Sequence, residues 1–129
     1  MPKTVNEIYS LTKTAMFEKP SSSIYDDYII GNLNMVLDEL FKENNMDRMF
    51  NNKPPLKEVP YVVERTDVVD YEDVYLNRII PLGLAASFFI DDDLNKYSIY
   101  DTKYQNARIL NQKIVSQEVI DGFATNTEV

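Results

Sequence analysis

The chain has 129 residues and a formal net charge of −8 at pH 7, and it contains neither cysteine nor histidine. This length suits a single domain, which at this size buries roughly two thirds of the surface that the unfolded chain exposes. The two missing residue types exclude disulfides, thiolate zinc sites, cysteine nucleophiles and imidazole bases, and the acidic charge disfavours general binding to nucleic-acid phosphates.

Two helices are predicted in the first third of the chain. Thr4 and Glu7 have the spacing of a capping box, so we predict a first helix over residues 5–17 that ends before Pro20. Serines 21–23 can cap a second helix over residues 24–43, in which apolar residues recur at helical spacing. Glycine destabilises a helix interior relative to alanine, so Gly31 inside this helix predicts a close helix crossing at that position.

Residues 44–69 show no helical period and are rich in asparagine and proline. We predict a long irregular excursion or a short β-hairpin between the second and third helices. The segments "YVVER" and "TDVV" favour strands, although Pro60 restricts the first to a strand start or an outer strand. An irregular stretch of this length is usually functional or mobile.

A third helix is predicted over residues 71–90, with Asp70 and Asp73 available to cap it. Pro81 lies inside this helix and should force a kink or a restart, because proline removes a backbone hydrogen bond. The small residues that follow, from Gly83 to Ser87, would let another helix approach closely.

A fourth helix is predicted over residues 94–116. It contains a stripe at three- and four-residue spacing, formed by Tyr97, Tyr100, Tyr104, Ala107, Leu110 and Ile114. The stripe can pack inside the molecule, which we favour, or form a contact face toward another subunit. Residues 119–129 are expected to form a flexible, extended tail beyond a helical domain of residues 1–118.

Asp91, Asp92 and Asp93 form an acidic run that could bind a hard cation or mark the corner between two helices. The segment "DDDLNKYSIYDT" lacks the alternating acids, mid-loop glycine and closing glutamate of an EF-hand loop. Aspartate is a favoured N-cap and is stabilised near a helix N-terminus, so we favour the corner. We predict no catalytic residues, no cofactor and no metal site.

The block "RIIPLGLAASFFIDDDLNKYSIYDTKYQNA" resembles a pattern in head-tail connector, or adaptor, proteins of tailed bacteriophages. In that pattern a helix reading roughly Leu-Pro-x-Gly-Leu-Ala-Ala runs into an acidic corner and a helix with a late tyrosine. Pro81, Gly83, the corner at Asp91, Asp92 and Asp93, and Tyr104 occupy the corresponding positions. The match is specific over about thirty residues and architectural elsewhere.

The resemblance implies a non-enzymatic virion protein located at the head-tail neck, after assembly in the host cytoplasm. Copies would dock as a ring, dodecameric in the virion, on the portal protein, extend the DNA channel without specific DNA binding, and receive the next neck or tail protein. By position, portal docking falls on residues 119–129, with Val119, Ile120 and Phe123 as contacts. Contacts to other subunits or to the tail fall on Tyr61, Val62, Val63 and Val68.

A second hypothesis starts from the charge alone. An acidic chain of this size can imitate DNA and so inhibit or regulate a nucleic-acid-handling protein. No apolar run reaches the roughly 20 residues of a membrane helix, and "MPKTVNEIY" lacks the build of a secretory signal, so under either hypothesis we expect a soluble, intracellular product without membrane contact.

Overall fold

A computed structural model of the protein describes the backbone of residues 1–127 and the side chains of residues 1–115. The predicted class, a mostly helical four-helix domain with an irregular excursion between the second and third helices, is confirmed. In chain order the elements are β1 (Lys3–Thr4), α1 (Val5–Ala15), α2 (Ile29–Phe50), β2 (Val68–Val69), a π-helical turn (Tyr75–Ile79), α3 (Ile80–Phe89) and α4 (Leu94–Thr127).

The capping box predicted for α1 is present. The Thr4 hydroxyl accepts a hydrogen bond from the Glu7 amide at 3.2 Å, and the Glu7 carboxylate accepts one from the Thr4 amide at 3.1 Å. The helix ends at Ala15, two residues before the predicted end, because the chain turns at Phe17 with a φ of 60°. The Glu18 amide then donates to the Lys13 carbonyl, which satisfies an otherwise unpaired acceptor of the last turn.

The second helix lies further along the chain than predicted. Residues 24–28 form turns, and α2 runs from Ile29 to Phe50. The predicted loop start at residue 44 is therefore wrong for residues 44–50. Asparagine is a poor helix former in isolation, but Asn44 and Asn45 bind backbone groups of the excursion through their side chains, and these tertiary bonds compensate.

The excursion between α2 and the third helix is mainly irregular. Its one strand, β2, pairs antiparallel with β1, so that Lys3 faces Val69 and Thr4 faces Val68. The strand partner therefore comes from the N-terminal end of the chain rather than from the excursion itself. Additional backbone bonds from Val5 to Asp67 and from Asn6 to Arg65 hold the excursion against the start of α1.

Pro81 restarts the third helix, as predicted. A π-helical turn over Tyr75–Ile79 precedes it, and the Ile80 amide donates to the Tyr75 carbonyl with π-helical spacing. Proline has no amide hydrogen for the Asn77 carbonyl four residues earlier, so one wider turn accommodates the missing bond before α3 continues.

Helix α3 lies at the centre of the core and contacts α1, α2 and α4. Its buried residues are Ile80, Pro81, Gly83, Leu84, Ala85, Ala86, Phe88 and Phe89. The ring of Phe88 stacks on Tyr25 with centroids 4.4 Å apart, and Phe89 stacks on Tyr100 at 5.4 Å. The close helix crossing predicted at Gly31 is wrong, because Gly31 is exposed and, apart from the adjacent backbone of its own helix, no atom lies within 4 Å of a β-carbon placed there.

Helix α4 extends well past its predicted end at residue 116 and reaches Thr127. The backbone of residues 119–127 is therefore helical, and the prediction of an extended tail is wrong over that range. Helical continuation costs little here, because "SQEVIDGFATNT" contains one glycine and no proline.

Candidate interaction surfaces

The acidic run forms the corner between α3 and α4. The Asp92 and Asp93 amides both donate to the Phe89 carbonyl, which closes the end of α3. The Asp93 carboxylate accepts from the Lys96 amide at 3.1 Å and so caps α4. Asp91 and Asp92 are exposed. Over the part of the chain that the structure describes, no group of three or more carboxylates is arranged to hold a metal ion.

A row of polar side chains joins α2 to α4 and was not anticipated. Glu39, Glu43 and Asp47 recur every four residues on α2, and their partners Tyr104, Arg108 and Asn111 recur on α4. We call these six residues the interhelical ladder. Neighbours at four-residue spacing share one helix face, which is the signal in the sequence that could have revealed it.

The centre of the ladder is an ion pair. The Arg108 guanidinium donates to the Glu43 carboxylate through Nε at 3.1 Å and through a second, shorter bond from Nη2. The side chains are only 19% and 13% exposed, so water screens the pair weakly. The hydrogen bond to Glu43 raises the pKa of Arg108, which keeps the guanidinium charged.

At each end of the ladder a carboxylate lies beside a buried tyrosine. Asp47 is buried as well, whereas the Glu39 side chain is 50% exposed. The Tyr104 hydroxyl donates a hydrogen bond to the Glu39 carboxylate. Burial is the larger cause of the raised Tyr104 pKa, and this hydrogen bond is the second cause. At the other end Asn111 donates to Asp47 at 2.8 Å and to the Tyr75 hydroxyl at 3.1 Å. Burial raises the pKa of Asp47 and of Tyr75. The ladder therefore fixes α4 on α2.

Polar side chains of α2 also anchor the excursion. Asn34 donates to the Val62 carbonyl at 2.9 Å and accepts from the Val62 amide at 2.8 Å. Asn45 makes the same reciprocal pair of bonds with the backbone of Leu56. Arg48 donates to the Pro54 carbonyl at 2.9 Å. These hydrogen bonds hold the excursion against α2, and Asn45, one of the asparagines on which the loop prediction depended, is among the residues that make them.

The excursion residues predicted as subunit or tail contacts divide into two groups. Tyr61, Val63 and Val68 are exposed by 60%, 79% and 57% and remain available to a partner. Val62 is 3% exposed and belongs to the core, so it cannot contact another chain while the fold is intact. Alternation along a strand-like segment could have predicted this division.

The tyrosine stripe of α4 packs inside the molecule over its first half, as favoured. Tyr100, Tyr104 and Ala107 are buried, and the Tyr100 hydroxyl donates to the Ala15 carbonyl at 2.6 Å. Leu110 and Ile114 are each 49% exposed, so the second half of the stripe is open to solvent. The predicted portal contacts Val119, Ile120 and Phe123 lie outside the residues whose side chains are described.

Comparisons of the chain with protein-family models, curated proteins and solved structures found no match. Within the described residues, none of the helices combines the length and the apolar character that crossing a bilayer requires.

Proposed function

We propose that this chain is a non-enzymatic structural protein of a tailed-phage virion, a head-tail adaptor. In this role copies dock as a ring on the portal protein, extend the DNA channel and provide the attachment surface for a neck or tail protein. The acidic charge suits a channel wall, because carboxylates repel the phosphates of passing DNA and leave it unbound.

One observation gives the main support. The block that resembles the adaptor pattern folds as a single packing unit: the π-helical turn and Pro81 start α3, the aspartates turn the chain, and Tyr104 on α4 returns to contact Gly83. The residues that carry the resemblance therefore have a joint structural role, rather than being scattered matches.

The exposed apolar side chains add to this support. Tyr61, Val63, Leu110 and Ile114 are each about half exposed or more, although the chain buries a full core. Tyr61 and Val63 lie two residues apart, and Leu110 and Ile114 lie one turn apart on α4, so each pair is adjacent on the surface. Contiguous exposed apolar groups of this kind often mark contact sites for other proteins.

The test is to mix the purified protein with portal rings from the same phage genome and image the product by electron microscopy. The proposal predicts an added ring of density with the symmetry of the portal. Bare portals, after mixing with protein that has the far-ultraviolet circular dichroism of a folded helical domain, would contradict it.

The same preparation addresses the DNA-mimic hypothesis. That hypothesis requires rows of carboxylates on the surface, and Glu43 and Asp47 are not available for such a row because they are engaged inside the interhelical ladder. Salt-sensitive competition with DNA for a nucleic-acid-handling protein, combined with failure to bind portals, would favour the mimic instead.

A further inference from the structure

Two grooves of opposite charge lie on the surface. The acidic groove, about 390 Å³ in volume, lies between the chain before α2 and the end of α3. Ile24 and Tyr28 form its apolar wall, and Asp91 and Asp92 form its charged rim. Ile24 and Tyr28 are 63% and 60% exposed, so this wall is largely uncovered.

The basic groove, about 350 Å³ in volume, lies between α3 and α4. Leu82, Ala107 and Leu110 form its apolar floor, and Arg78 and Lys103 flank it. Both cations are exposed, and across the described residues neither forms an ion pair.

The two grooves open on different sides of α3. Leu82 borders the basic groove and Ser87 borders the acidic groove. They are five residues apart on a regular helix, and at 3.6 residues per turn their side chains diverge by about 140°. One copy of the chain therefore cannot bring its own two grooves together, whereas two copies can.

We propose that the acidic groove of one copy binds the basic groove of a second copy. The carboxylates of Asp91 and Asp92 face Arg78 and Lys103 of the neighbouring copy, and the apolar wall covers the apolar floor. The opposite charges orient the two copies relative to each other, and the apolar wall and floor bury apolar surface between them.

This contact joins two different surfaces and is therefore heterologous. Each added copy leaves one groove of each kind unoccupied at the ends of the assembly, so association continues as an open filament or until the rotation closes a ring, and the proposed function requires the ring. The inference rests on the ring assembly of the proposed function and identifies the surfaces that form it. Binding to the portal involves a separate partner and is measured separately.

The test uses charge reversal and sedimentation velocity at low and high salt. The wild-type protein is expected to gain mass with rising concentration at low salt and to lose this behaviour at high salt. The variants Asp91→Lys/Asp92→Lys and Arg78→Glu/Lys103→Glu are each expected to stay monomeric, because both of their grooves then carry the same sign. An equimolar mixture of the two variants should associate again, since every groove then finds an opposite one.

Two control variants match the changes in net charge. Glu58→Lys/Glu64→Lys and Lys42→Glu/Lys57→Glu reverse exposed charges away from both grooves and should associate like the wild type. A wild-type protein that stays monomeric at every concentration would overturn the inference. So would charge-reversal variants that associate like the wild type, or folded variants whose mixture stays monomeric. Portal binding by a protein that does not self-associate would remove the inference and leave the proposed function standing.

Discussion

Tyr104 lies directly over Gly83, and a β-carbon at position 83 would be 2.8 Å from Cε1 of the tyrosine ring. Real side chains essentially never approach so closely, so glycine is required for α4 to reach α3 here. The tyrosine ring has little room to move away from position 83, because it is 3% exposed and its hydroxyl donates a hydrogen bond to Glu39. This contact joins the two halves of the α3–corner–α4 unit.

Replacing Gly83 with alanine should destabilise the protein by about 1–3 kcal/mol, the usual cost of overpacking a core. Chemical denaturation measures this change in the free energy of unfolding. Gly31→Ala is the matched control, because position 31 is helical, exposed and has free space for a β-carbon. That variant should be neutral or stabilised by up to ~1 kcal/mol. Equal effects at the two positions would contradict the role assigned to Tyr104.

The Arg108–Glu43 pair should couple energetically. Single variants Arg108→Gln and Glu43→Gln should each lose about 1.5–3 kcal/mol, the range for hydrogen bonds to charged groups. A double-mutant cycle should return a coupling energy of about 0.5–3 kcal/mol. The half-exposed pair of Arg65 and Asp26, 3.5 Å apart, is the control and should couple by less than ~1 kcal/mol. No coupling at Arg108 and Glu43 would show that the ladder does not hold α4.

Asp47 should give an unusual pH dependence. Burial, with the nearby carboxylates of Glu72 and Glu43, raises its pKa above the ordinary 3.8. Between 3.8 and the raised value the native state holds more protons than the unfolded state, so the contribution of Asp47 to stability falls as pH rises through that window and stays low above it.

The variant Asp47→Asn removes this titration while keeping a similar shape. Urea denaturation of both proteins over a series of pH values should show that the wild-type stability, relative to the variant, increases as the pH is lowered toward 3.8. For most exposed carboxylates, acidification lowers the stability of the protein or leaves it unchanged. The difference in stability between the two proteins therefore reports on Asp47 alone. A difference that decreases on acidification would contradict the raised pKa.

Removing residues 119–129 should separate folding from docking. The described packing of α4 on the body involves residues up to Val115, so the truncated protein should keep a cooperative thermal transition and lose only the helical signal of the removed residues. It should no longer add density to portal rings. A shorter truncation that removes residues 125–129 keeps Ile120 and Phe123 and should still dock. Unfolding of the longer truncation would contradict this division.

Local signals in the sequence were enough for several elements. The capping box at Thr4 and Glu7 involves groups three residues apart and needs no tertiary contact, so it was predicted correctly. The effect of Pro81 is also local, since the missing amide hydrogen perturbs its own helix wherever that helix packs. The capped corner at Asp93 follows the same logic.

The start of α2 was misplaced because Ile24 and Tyr28 have helical spacing but lie on the surface, as the groove wall. Its end was misplaced because Asn44 and Asn45 have partners more than ten residues away, which local propensity does not register. Val62 was assigned to a contact surface although Asn34 fixes its backbone against α2.

Local sequence was sufficient for the helical class, the capped start of α1, the break at Pro81 and the corner at Asp91 to Asp93, because each depends on residues within about one helical turn. Three features required the folded structure: the close crossing lies at Gly83 rather than Gly31, Glu39, Glu43 and Asp47 face α4, and two oppositely charged grooves lie on different sides of α3. These relationships join residues far apart in the chain, and their energies depend on which helix faces are brought together.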